Sequence, residues 1–138
     1  MHKIFLKKHY AILFGILSTF FVEQCYANNT KAQSFSACSQ VAKKVNQRVL
    51  GSGGILSQYN KFIDTYCDMK DGQLSFNYQI ETLLPSLSSK ERKEVKDEIC
   101  SEEKRVFFEL VEKVVTSYFS KQGNLIAQIT VTKNSCVE

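Results

Sequence analysis

The chain has no tryptophan, one proline (Pro85) and two histidines, His2 and His9, both close to the N-terminus. If that terminus is removed, the rest cannot build a Ser-His-Asp or Cys-His catalytic arrangement, and it loses the side chain that most often binds transition metals. No Cys-x-x-Cys occurs, which excludes a thioredoxin-like redox pair, and the cysteines stand too far apart for paired zinc knuckles. Gly51-Ser52-Gly53-Gly54 lacks the Lys-Ser/Thr of a phosphate loop and reads as a linker. Ala11–Val22 is the one long apolar run, short of the roughly 18 to 20 residues that span a bilayer.

What is present reads first as an address. Lys3, Lys7 and Lys8 precede the run Ala11–Val22, and Cys25-Tyr26-Ala27 puts small residues where a signal peptidase cuts, so residues 1–27 are expected to be a cleaved signal peptide. The alternative is a leader retained as an anchor. Residues 28–33 are polar and expected to be flexible, and 34–138 should form one α+β domain. Cleavage removes Lys3, Lys7, Lys8 and Glu23, which lowers the formal charge from +4 to +2, too little to favour nucleic acid. It also leaves four of the five cysteines: Cys38, Cys67, Cys100 and Cys136. An even number in a small exported chain implies two disulfides; four cysteines allow three pairings, and locality favours Cys38–Cys67 and Cys100–Cys136.

Periodicity supplies the elements. Cys38, Val41, Ala42, Val45 and Val49 recur at helical spacing, with Ser34 or Ser36 as the expected N-cap and Gly51 as the stop. Lys61–Met69 and Gln73–Glu81 flank Lys70-Asp71-Gly72 as a hairpin. In its second strand Leu74, Phe76, Tyr78 and Ile80 alternate with Ser75, Asn77 and Gln79. Ser88-Ser89-Lys90-Glu91 is a capping box opening a helix from Ser89 to Ile99, and a further helical turn runs through Phe107 and Leu110. Val114–Phe119 and Leu125–Thr132 form a second hairpin about Gly123-Asn124, with Leu125, Ala127, Ile129 and Val131 on one face and Gln128, Thr130 and Thr132 on the other. The expected fold is therefore a four-stranded antiparallel sheet of two hairpins, with helices on one face and two disulfides.

Leu74, Phe76 and Tyr78, then Cys100, Arg105, Tyr118, Gly123, Ile129, Val131 and Cys136, stand in an order that resembles small, poorly characterised exported bacterial α+β proteins with a disulfide-linked terminal hairpin. That resemblance implies a fold and carries no functional residue. Gln47-Arg48-Val49-Leu50-Gly51 is similar to the Gln-x-Val-x-Gly of cystatin protease inhibitors, but it ends a helix here and the tryptophan loop of that family is missing.

No catalytic, metal or cofactor residue is singled out. The mixed charges of Lys90–Glu98 read as a solvated helix face, and Asp64, Asp68 and Asp71 as a polar hairpin end lacking the glycine and glutamate of a calcium loop. The candidate binding face is Ser75, Asn77, Gln79, Gln128, Thr130 and Thr132, polar and uncharged. The expectation is a secreted or periplasmic accessory protein that is not an enzyme. It would recognise a protein or envelope component, with no nucleic acid and no membrane contact beyond its signal peptide. The alternatives are a small carboxylate-dependent hydrolase and a subunit of an envelope assembly.

Overall fold

The computed structural model describes residues 31–101 and 106–136; the expected signal peptide, residues 28–30, Arg105 and the acidic stretch after Ser101 lie outside them. The element order is α1 (Lys31–Gly51), β1 (Asn60–Lys70), β2 (Gln73–Thr82), α2 (Ser89–Ile99), a 3-10 turn (Val106–Glu109), β3 (Lys113–Phe119), β4 (Leu125–Thr132) and a 3-10 turn (Asn134–Cys136). Two expectations about α1 are corrected. Lys31–Gln33 are helical rather than loose, and Ser34 and Ser36 lie inside the helix, so neither is its N-cap.

The strands lie in the order β1-β2-β3-β4. Both hairpins are antiparallel, but β2 and β3 run parallel, so the sheet is mixed and not antiparallel throughout. The cause is the connection from Leu83 to Glu112, long enough to hold α2 and to carry the chain back to the starting end of β2, as a parallel pair requires. α2 starts where its capping box says: Ser88 Oγ accepts from Glu91 N–H at 3.1 Å and Glu91 Oε1 accepts from Ser88 N–H at 2.8 Å.

One face of the sheet is the core face. Leu74, Phe76, Tyr78 and Ile80 of β2 are fully buried, with Val114, Thr116 and Tyr118 of β3 beside them and Ala127, Ile129 and Val131 of β4 beyond. The apolar stripe of α1 (Cys38, Val41, Ala42, Val45, Val49) joins them, as do Val95 and Ile99 of α2, in one contiguous cluster. Phe107 meets Phe76 edge to ring, with centroids 5.0 Å apart and an interplanar angle of 84°. Leu125 departs from the expected alternation. The register slips so that Tyr118 pairs with Ala127 but Phe119 with Leu125; this bulge takes up Ile126 and leaves Leu125 54% exposed opposite Phe119.

Two disulfides close the plate. Cys38–Cys67 ties α1 to β1 and Cys100–Cys136 ties the end of α2 to the turn beyond β4, the pairing that locality favours. Such bridges are typical of proteins outside the reducing cytoplasm. Among the described residues, no helix is long and apolar enough to cross a membrane.

Candidate functional site, the open face of the sheet

Because side chains alternate along a strand, the register that buries Phe76 and Tyr78 turns Ser75, Asn77, Gln79 and Glu81 to the other side. The pairings then lay out that side in rows. Asp64, Gln79, Ser117 and Gln128 form one row across all four strands; Tyr66, Asn77, Val115 and Thr130 form the next; Asp68, Ser75, Lys113 and Thr132 form a third. Glu81, Phe119 and Leu125 close the face at one end. Neighbouring positions in a row are about 4.8 Å apart and successive rows about 7 Å.

The six residues singled out by alternation, Ser75, Asn77, Gln79, Gln128, Thr130 and Thr132, thus share one face. Sequence reasoning missed Asp64, Tyr66, Val115, Ser117 and Phe119, which share it. Ile63 hides Asp64 and Tyr66, because it is the extra residue of a bulge between Phe62 and Asp64 that shifts the parity of β1. β3 reads Lys-Val-Val-Thr-Ser-Tyr-Phe, with polar and apolar residues on both faces, so its open side has no sequence signature.

The centre of the face is uncharged. Charges stand toward its margins, with Asp64 and Asp68 on the edge strand β1 and Lys113 and Glu81 at strand ends. Small residues make the middle shallow: Ser75 and Ser117 are buried beneath longer neighbours. Their hydroxyls hold the amides above them. Asn77 Nδ2 donates to Ser75 Oγ at 3.0 Å and Gln128 Nε2 donates to Ser117 Oγ at 3.0 Å, which turns each amide oxygen away from its serine. Tyr66, 42% exposed, stands on one flank and the half-buried Phe119 on the end.

Asp64 is a site group whose ionisation is perturbed upward. Burial pushes its carboxyl above the usual carboxylate range, and its Oδ1 is buried with no hydrogen-bond partner among the described residues. Glu81 is its diagonal neighbour across β1 and β2, at a separation of about 7–8 Å for such positions. Asp64 and Asp68, four residues apart on β1, are about 13 Å apart along the strand. Asp71 occupies the left-handed turn position at φ 53° and points the chain into Gly72.

A different kind of surface lies beyond the other end of β1. Leu50, Ile55 and Leu83 are 50%, 71% and 66% exposed; Ile55 bridges to Lys61, Leu83 N–H donates to Tyr59 O at 2.9 Å, and the Leu50 side chain lies beside Gly54, next to Ile55.

No family model, no curated protein and no solved structure matches this chain.

Proposed function

We propose that this is an exported recognition module, directed out of the cytoplasm by residues 1–27 and locked by its two disulfides, that binds a protein or envelope component through the open face of its sheet and performs no chemistry of its own. The observation that carries the reading is the build of that face. Amides at Asn77, Gln79 and Gln128 and the hydroxyl of Thr130 form an uncharged, hydrogen-bonding centre, positioned by buried serines and by strands rather than loops. Polar side chains held this way lose little rotamer freedom on binding, so more of each contact appears as affinity.

The test is capture from the exported fraction by the oxidised protein, beside a variant carrying Asn77→Lys, Gln79→Lys and Gln128→Lys. The expected result is a reproducible set of bound components that the variant loses while its melting temperature is kept. A set that is unchanged in the variant overturns the assignment to this face, and capture of nothing overturns recognition itself.

The exposed Leu50, Ile55 and Leu83 favour a second reading, a subunit of a larger envelope assembly, since exposed apolar clusters mark contact surfaces. Under it, Ile55→Ser with Leu83→Ser abolishes capture and the face variant does not. A carboxylate hydrolase rests on Asp64 and Glu81; glycan cleavage lost in Asp64→Asn would put catalysis in place of binding.

A further inference from the structure

The two edges of the sheet are treated differently, and the difference points to a partner. Along β1 the outer backbone groups between Asn60 and Thr65 are already taken. Asn46 of α1 acts as a substitute strand residue: its Oδ1 accepts from Thr65 N–H at 2.7 Å and its Nδ2 donates to Thr65 O at 2.9 Å. Further along, Phe62 N–H donates to Gly54 O at 2.7 Å, and Asn60 O accepts from Leu56 N–H. Gly54 suits this close approach, because its φ is +73° and a Cβ there would stand 3.3 Å from Phe62 O.

β4, the opposite edge, has β3 as its one strand neighbour. Among the described residues its outer backbone groups are hydrogen-bonded at the far end alone, where Thr132 N–H donates to Ser135 Oγ at 3.2 Å and Cys136 Sγ lies 3.5 Å from Thr132 O, and α2 is the helix that packs against this strand. The strand Leu-Ile-Ala-Gln-Ile-Thr-Val-Thr contains no charge, no proline and no glycine, and Gln128 and Thr130 are exposed. Proteins usually guard a long edge with a charge, a proline or a cover.

We propose that β4 pairs antiparallel with β4 of a second copy of this chain, joining two sheets into one of eight strands. Three features select a second copy over a foreign strand. A strand without charge meets its own image across a two-fold axis with no like-charge repulsion. Directly opposed residues of an antiparallel pair point to the same face, so the axis must pass through a residue; with Gln128 or Ile129 on it, polar side chains meet polar ones and core-side residues meet core-side ones. With β1 stoppered from Asn60 to Thr65, β4 is the longer free edge of each chain, which favours closure at two copies over growth into a fibre. The dimer also makes the open faces of both copies continuous through Gln128 and Thr130. It goes beyond the recognition reading and does not depend on it.

Sedimentation velocity of the oxidised protein from micromolar to near-millimolar concentration tests this. The expected result is a monomer–dimer equilibrium that Gln128→Lys and Gln128→Glu each weaken at least about tenfold, with the dimer restored when the two variants are mixed. Asn77→Lys, inside the face and away from the edge, should leave it unchanged. Hydrogen exchange on the unaltered protein gives an independent reading: amides within 125–132 should gain protection with concentration while those of β1 do not. A monomer at every concentration overturns the proposal, as does a dimer indifferent to both Gln128 variants, loss of the dimer in Asn77→Lys, or concentration-dependent protection confined to other strands.

Discussion

Asp64 and Glu112 show how two carboxylates in one small domain are driven in opposite directions by their surroundings. For Asp64 the cause is burial alone, so the folded state binds its proton more tightly than the unfolded chain, whose value is 3.8. Its charge therefore destabilises the fold at neutral pH, and the penalty fades as pH falls below the raised folded value. Asp64→Asn is expected to raise the melting temperature at pH 7, with the difference vanishing in acid; a variant that melts lower at pH 7 would show that the carboxylate has a stabilising partner. Glu112 is also pushed up by burial, but Lys31 and the N–H of Leu74 outweigh this and hold it below 4.5. Glu112 Oε2 accepts from Leu74 N–H at 2.7 Å while its own N–H donates to Leu74 O at 2.8 Å, so the residue clasps both backbone groups of Leu74, and Oε1 receives the Lys31 ammonium. Its contribution is present above pH 4.5 and lost as pH falls through the lower folded value. Glu112→Gln should therefore destabilise at pH 7 and converge on the parent protein in acid, as thermal melts across pH would show. Lys31 and Glu112 are both substantially exposed, so salt should screen much of the charged part.

Among the elements, those whose pattern is local were legible in the sequence. α2 is bounded by its capping box, β2 by its alternation, and β4 by a glycine turn and β-branched residues; their limits agree with the sequence to within a residue. What failed was relational. Nothing in Leu83–Glu112 says whether the second hairpin returns parallel or antiparallel, because that depends on the path of a connection containing a helix and not on any residue pair. The candidate face was half legible for a similar reason: β2 and β4 declare their polar sides, whereas the bulge at Ile63 and the mixed pattern of β3 conceal Asp64, Tyr66 and Ser117. Asn46 was invisible as well, since a helical asparagine has no signature for gripping a strand 19 residues away. Asn46→Ala removes both partners of the Thr65 backbone. At about 1 kcal/mol per hydrogen bond it should cost about 2 kcal/mol in denaturant unfolding; a cost near zero would show that the grip on β1 is not needed.

For the molecule as a whole, the bridges carry a large share of the margin. With sequence separations of 29 and 36 residues, loop-closure entropy assigns each about 3.5–4 kcal/mol, against a typical total of 5–15 kcal/mol for such a domain. Reduction of both is therefore expected to unfold the protein at or below physiological temperature, which circular dichroism with and without reductant would show; a reduced form with an unchanged melting curve would mean that the core suffices alone. The consequence for function is rigidity. The bridges pin a helix to an outer strand at one edge and the second helix to the chain end at the other, so the open face is presented as a plate whose shape persists in oxidising surroundings.

Hydroxyl-radical footprinting of the oxidised protein, alone and after incubation with the exported fraction, is the sharpest check on recognition through the open face, because it reads the contact surface whatever the ligand is. Tyr66 and Phe119 stand on the open face, whereas Phe35, 37% exposed, stands on α1. Oxidation of Tyr66 and Phe119 should fall severalfold on incubation while that of Phe35 is unchanged; protection at Phe35 with Tyr66 and Phe119 still reactive would place the contact elsewhere and refute binding by the sheet.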